Sequence, residues 1–352
     1  MTPIPLFVEL CAGTAALSLR LHRDGAKPPV SRMGSKSGYA SALLRILGLR
    51  PGQRAAAYLW CEPDPGVRLL LHAYRDAGLA RAAAAIIRSW AAEDPRALWE
   101  RLRAEGPPRL PDGAVDAVEV ARWAWVHNRT MPQAQARGAG DGDFNGGKVA
   151  SDVGLAAQVQ RLAALPATIT PDARTIDPRE VARWAQIVAS NRLINVAWND
   201  AEGRWKNTGV GGTTFGGAEF CAPCERTAEG MEAAPGDISA LIHPDARDID
   251  PPALPPGTVV FCDPPYQNTT PYAHDLPRAE VAALARRWAA AGATVAISEA
   301  EAIPELVAEG WHAVEITGER VGQKRVFSKQ QAEWVTLNRP PAWVPPVQGR
   351  LF

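Results

Sequence analysis

Val259-Val260-Phe261-Cys262-Asp263-Pro264-Pro265-Tyr266 reads as an apolar strand running straight into a turn. Two consecutive prolines can neither donate to a ladder nor continue into a helix, so the chain must leave the strand extended at its carboxyl end. That end is where open α/β sheets bind ligands. The turn is expected to bring one carboxylate, Asp263, and one aromatic ring, Tyr266, to a single spot. Beyond it the pattern alternates, with helices over 276–291 and 303–309, a strand over 293–298, and closing strands over 311–316 and 333–338.

The same alternation opens the chain. Residues 6–10 form a strand-like run, Cys11-Ala12-Gly13-Thr14-Ala15-Ala16 a small-residue turn, and Leu17, Leu19 and Leu21 the apolar stripe of a helix. Pro28 and Pro29 break that helix. Arg32-Met33-Gly34-Ser35-Lys36 then leads into a second helix, which Gly48 and Pro51 end. A strand over 55–61 is closed by Glu62-Pro63-Asp64 and followed by another helix. Strand and helix in alternation predict a parallel, Rossmann-like α/β sheet. Over 112–240 the pattern changes to helices separated by glycine-rich stretches at 138–147 and 209–217, the kind of loop that orders on a ligand. The expected organisation is a sheet domain in two parts, 1–111 and 241–352, interrupted by a mainly helical insertion.

With 352 residues, 46% apolar and 22% charged, the chain has the composition of a folded globular protein, which excludes disorder and collagen. Its 38 basic and 38 acidic side chains cancel, but unevenly. Residues 1–61 hold eight basic against two acidic groups, and 219–250 hold eight acidic against two basic. Arg320, Lys324, Arg325 and Lys329 form a further basic cluster. A local basic face can contact phosphate whatever the total. No apolar run reaches the ~18 residues of a spanning helix. The apolar stretch 4–19 has Glu9 within it and its first basic residue only at Arg20, the wrong polarity for a signal peptide, so a cytoplasmic protein is expected. Five scattered cysteines agree with a reducing compartment. Cys221 and Cys224 supply only two of the four ligands of a zinc site, and no second pair follows, so free thiols and no metal are expected.

Phe261-Cys262-Asp263-Pro264-Pro265-Tyr266, with its trailing Thr269-Thr270-Pro271-Tyr272, resembles the catalytic loop of the Dam-like adenine-specific DNA amino-methyltransferases. Phe7-Val8-Glu9-Leu10-Cys11-Ala12-Gly13-Thr14 is similar to the family's first cofactor strand and turn, and Gly34-Ser35-Lys36 to its Gly-x-Lys cofactor segment. Residues 120–130 with Phe144-Asn145-Gly146 look like the opening of its DNA-recognition region. Pro244-Asp245-Ala246-Arg247-Asp248 is similar to its acidic segment before the catalytic strand. The resemblance implies a class I methyltransferase sheet with an inserted target-recognition domain, using S-adenosyl-methionine to methylate the N6 amino group of a flipped-out adenine in DNA. It also leaves room for a partner restriction endonuclease. It assigns catalysis to Asp263, Pro264, Pro265 and Tyr266. Cofactor contacts fall to Phe7, Glu9, Cys11, Ala12, Gly13, Thr14, Lys36, Glu62, Asp245 and Ala246, and DNA contacts to Asn128, Arg129, Phe144, Asn145 and Tyr272.

The chemistry asks for these residue types. The adenine amino lone pair is delocalised into the ring, and acceptors for both amino hydrogens make it available for attack on a sulfonium methyl. Asp263 and the Pro264 carbonyl suit that role, and Tyr266 suits a platform for a flipped base. Glu62, closing the second strand, is placed to accept ribose hydroxyls, with Asp64 as a competitor. Lys36 fits a cofactor contact, a DNA contact or a solvated helix start, and Phe144 fits the core as well as it fits DNA. Other acceptors served by the same loop are a cytosine N4 amino group or an RNA base. A non-catalytic DNA-binding regulator on this fold is the competitor of a different class.

Overall fold

The computed structural model describes residues 4–30, 35–106, 115–130, 144–145, 152–162, 165, 167–170, 178, 181, 196–199, 204–207, 254–266, 276–321 and 332–345. It is an α/β protein built on one seven-stranded mixed sheet. In chain order the elements are β1 (Ile4–Leu10), α1 (Ala16–His22), α2 (Ala40–Ile46), β2 (Ala55–Cys61), α3 (Pro65–Arg75), α4 (Ala77–Ser89), α5 (Pro95–Ala104), α6 (Ala117–Arg129) and α7 (Asp152–Gln160). They continue with β3 (Ala167–Thr170), β4 (Val196–Asn199), β5 (Arg204–Asn207), β6 (Val259–Cys262), α8 (Arg278–Ala290), β7 (Thr294–Glu299), α9 (Pro304–Ala308), β8 (His312–Glu315) and β9 (Trp334–Leu337).

The sheet order is β3-β2-β1-β6-β7-β9-β8. The chain winds outward from β1 through β2 to β3, then returns to the other side of β1 with β6 and β7, all parallel. Counting only strands of this sheet, the first five follow the doubly wound order 3-2-1-4-5, whose direction reverses between β1 and β6. β9 then slips between β7 and β8, antiparallel to both. The β1–β6 boundary is the topological switch point, and the crevice outside its carboxyl ends is where such a sheet takes a ligand.

Alternation along β1 explains why both sheet faces are covered. Leu6, Val8 and Leu10 join Leu59, Val260, Val295 and Ile297 in a core shared with Leu284 and Trp288 of α8 and Leu306 of α9. Phe7 points the other way, with Tyr58, Trp60 and Phe261, into a larger core shared with α1 to α7. Helices α3 to α6 start on aspartates: Asp64, Asp76, Asp94 and Asp116 each accept N–H groups of the first turn. Pro65 and Pro95 occupy the first turns of α3 and α5, where a missing N–H costs nothing.

The expected insertion over 112–240 has no matching break in packing at 112. Val120, Ala121 and Trp125 of α6 and Leu155, Ala156 and Val159 of α7 lie in the same core as α3, α4 and α5. β3 extends the main sheet by pairing with β2. Apart from Phe144 and Asn145, the glycine-rich stretches lie outside the described residues. The mainly helical expectation also missed β4 and β5, an antiparallel pair with Trp198 opposite Trp205. The signal was short: two four-residue runs separated by four residues in the sequence. Among the described residues no helix is long and apolar enough to cross a membrane.

One close approach fixes α6 against α3. A Cβ added at Gly66 would lie 1.6 Å from Nε1 of Trp123, whose indole in turn stacks on His127 at 4.6 Å. Gly66→Ala is therefore expected to cost about 1–3 kcal/mol by overpacking. The check is the denaturant midpoint, and an unchanged midpoint would show that the indole yields freely.

Candidate active site

The turn after β1 is built from unusual backbone. Cys11, Gly13 and Ala15 all have positive φ, at 60°, 50° and 46°. For Cys11 and Ala15 this is sparsely populated territory, sustained only where surrounding bonds over-determine it. Those bonds are present. Ala12 N donates to the Cys61 carbonyl at 2.8 Å, and Gly13 N donates to Glu62 Oε2 at 2.7 Å. The other Glu62 oxygen accepts from Asp64 N at 3.0 Å. The end of β2 thus clamps the turn after β1. Gly13 has open space where a Cβ would be. Thr14 Oγ1 lies 3.3 Å from Ser35 Oγ, linking this turn to the short helical turn that carries Lys36.

Lys36 is the centre of the second half of the site. Its side chain is only 6% exposed, and Nζ lies 2.8 Å from Asp263 Oδ1 and 3.7 Å from Glu333 Oε1. The ammonium also sits 4.6 Å from the centre of the Tyr266 ring. Tyr266 OH donates to Glu333 Oε1, and Ser298 Oγ donates to Asp263 Oδ1 at 2.8 Å. Asp263 N donates to the Leu10 carbonyl, so the Asp263–Tyr266 turn begins bonded to β1. Burial alone would lower the Lys36 ammonium, but Asp263, Tyr266 and Glu333 outweigh it and hold it well above its usual range. Burial raises Asp263 and Glu333, with Lys36 opposing in both cases. It also pushes the Tyr266 phenol well up, against the pull of Lys36.

The structure thus gathers Asp263, Tyr266 and Lys36, residues expected in two separate roles, into one cluster. Pro264 is buried and Pro265 half-buried beside them. Glu9 is placed differently from a cofactor contact: it is buried, and its Oε1 accepts from Ser18 N in the first turn of α1 at 2.8 Å. Phe7 is likewise fully enclosed in the core. Both act behind the turn, because odd positions of β1 face the α1 side of the sheet. Glu62 holds the Gly13 turn, while Asp64 caps α3. Phe144 packs its ring on Trp99 of α5, with Thr130 and Phe144 forming a bridge and Asn145 N donating to the Arg129 carbonyl. Arg129 lies over the Trp125 ring, at the end of α6 that also carries Asn128. Asp245, Ala246, Tyr272 and the Cys221–Cys224 pair lie outside the described residues. Among the described residues no group of three or more His, Cys, Asp or Glu is arranged to hold a metal ion.

Ser298 and Glu333 were not singled out in the sequence. Ser298 ends a strand expected at that position, but a serine there carries no signal of its own. Glu333 precedes β9, and only the antiparallel insertion of β9 brings its start to the same edge as the ends of β1 and β6. Comparison with protein-family models and with curated proteins finds no match to this chain.

Two outcomes are expected. Lys36→Met leaves the buried Glu333 and the partly exposed Asp263 without this cation and is expected to cost about 3–5 kcal/mol. Adding Glu333→Gln should recover part of that loss in a double-mutant cycle, and strictly additive costs would contradict the coupling. Burial raises the Glu9 carboxyl from an ordinary 4.5 to about 7. The folded state therefore holds this proton more tightly, so the stabilisation is full below about pH 4.5 and is lost as pH rises to about 7. Wild-type stability relative to Glu9→Gln should fall across that window by up to ~1.4 kcal/mol per pH unit. A pH-independent difference would contradict the burial of this group.

Proposed function

We propose that this chain is a site-specific DNA methyltransferase that transfers a methyl group from S-adenosyl-methionine to the N6 amino group of a flipped-out adenine. The observation that carries the reading is the position of Asp263-Pro264-Pro265-Tyr266 at the sheet's switch point, beside the strained Gly13 turn. The doubly wound strand order supports a class I methyltransferase sheet. The residues between β3 and β6 are the candidates for target recognition.

The crevice residues fit the cofactor. At Gly13 the backbone is open on the side a Cβ would fill, and its φ of 50° makes any other residue costly there. Glu62 keeps that turn in place through the backbone N–H groups of Gly13 and Asp64 that its two oxygens accept. When bound, S-adenosyl-methionine supplies a methyl group on a cationic sulfonium, which makes the methyl electrophilic.

The chain's own groups prepare the acceptor. The Lys36 ammonium and the Ser298 hydroxyl both bind Asp263 through Oδ1. Oδ2 is then the oxygen that accepts one amino hydrogen of adenine, and the Pro264 carbonyl accepts the other. Two acceptors on the amino hydrogens push electron density onto nitrogen without first removing a proton. Tyr266 stacks on the base, and its bond to Glu333 fixes the ring's direction. The basic groups of residues 1–61 suit the DNA phosphates.

The test is transfer of labelled methyl from S-adenosyl-methionine to mixed-sequence DNA by the full chain. The expected product is N6-methyladenine, with Asp263→Ala lowering the rate about 100-fold or more while still binding the cofactor. No transfer by folded, cofactor-bound protein would overturn the enzymatic reading. Label recovered in cytosine or RNA would overturn the choice of acceptor.

A further inference from the structure

After β8 the chain crosses the carboxyl edge of the sheet toward Lys36. Ile316 N donates to the Glu333 carbonyl at 2.8 Å, and Thr317 Oγ1 accepts from Glu333 N at 3.0 Å. Further along, Val321 N donates to the Gly38 carbonyl at 2.9 Å. Glu333 lies 3.7 Å from the Lys36 ammonium, and Gly38 ends the short helical turn that Lys36 begins. Residues 316–321 are therefore tied at both ends to neighbours of the Lys36–Asp263–Tyr266 cluster.

Arg320 is an exposed side chain of this crossing, and its place is prepared. Gly38 does not have a left-handed backbone, so what it supplies is the missing side chain. A Cβ there would lie 3.0 Å from Arg320 Cγ, 3.2 Å from the Val321 carbonyl oxygen and 3.3 Å from Arg320 Nε. The guanidinium sits 6.0 Å from the centre of the Tyr39 ring, at the outer reach of a cation–π contact. Arg278 and Arg286 are paired with Glu301 and Glu309, whereas Arg320 enters no ion pair among the described residues. An arginine whose stem is already packed and whose planar fork is unengaged loses less freedom on binding an anion than a loose surface arginine does.

We infer that Arg320 is a positioning residue that binds a phosphate of the DNA strand carrying the flipped base. A flipped nucleotide stays joined to its strand, so the phosphates on either side of it pass the mouth of the base pocket. The guanidinium offers two parallel N–H donors that match two phosphate oxygens. Such a contact fixes the register of the strand and reads no sequence. Through the bond from Val321 N to Gly38, a phosphate held there bears on the same turn that carries Lys36. The choice of DNA as the anion rests on the function proposed above, whereas the packed and unpaired guanidinium does not.

The experiment measures binding of the full chain to a labelled mixed-sequence DNA duplex from about 50 to 200 mM salt. The proteins compared are wild type, Arg320→Ala, Arg320→Lys and Arg45→Ala. Arg45 is also an exposed arginine on an aromatic ring, 3.8 Å over Trp343 at the far end of α2, so it controls for loss of charge alone. Arg320→Ala is expected to weaken binding about tenfold at the lowest salt and to reduce the salt slope by about one. Arg320→Lys should keep the slope, Arg45→Ala should change neither quantity, and S-adenosyl-methionine affinity should stay the same in all four. An unchanged slope in Arg320→Ala, or an equal loss in Arg45→Ala, would overturn the contact and leave the methyltransferase reading standing. DNA binding that depends on Arg320 without any methyl transfer would count against the proposed function alone. No DNA binding by the folded wild type would overturn both.

Discussion

The buried ammonium of Lys36 holds together groups that sequence distance would scatter. Asp263 and Tyr266 lie more than two hundred residues after it, and Glu333 follows Tyr266 by 67 residues. Taking an ammonium and two carboxylates out of water costs several kcal/mol per ion, and only close pairing with good hydrogen bonds offsets that. The pairing exists only when α1 and the segment after it, the end of β6 and the start of β9 all reach the same edge. The cluster is therefore a consequence of the completed sheet, and little of it can form in a partly folded chain. Its two raised carboxyls also bias it toward holding protons, so its charge state is a property of the group and not of any one residue.

The turn after β1 is the complementary constraint. It is strained at Cys11 and Ala15, and the strain is held by bonds from the end of β2, above all from Glu62. Behind it, Glu9 replaces water at the start of α1 by accepting from Ser18 N, while Ser18 Oγ accepts from Trp60 Nε1 at 2.9 Å. A buried carboxyl at the N-terminus of a helix satisfies an otherwise orphaned amide. Turn and cluster meet at the β1–β6 boundary, where Asp263 N is bonded to the Leu10 carbonyl.

Much of the sheet was legible because its strands are short apolar runs bounded by turn residues. The strand over 55–61 matches β2, and the paired prolines after Cys262 mark the end of β6. Asp263 and Tyr266 could be read from the turn they share, since prolines leave few backbone options. Glu333 could not, because an antiparallel strand inserted late in the sheet is a long-range pairing that local pattern does not encode. The helix α6 was readable as a helix, but periodicity says which face is apolar and not what it will cover. Glu9 looked like a ligand contact only while its facing was unknown; the alternation set by Phe7 turns it inward.

The Gly13 turn and the cluster of Lys36, Asp263 and Tyr266 meet at the β1–β6 boundary, and the proposed function has S-adenosyl-methionine and the target base meet there. A structure of the chain with bound S-adenosyl-homocysteine tests it most directly. The ligand is expected over the carboxyl ends of β1 and β2, against Gly13 and Glu62, with its sulfur turned toward Asp263. A ligand bound elsewhere, or a sulfur directed away from Asp263 and Tyr266, would contradict it.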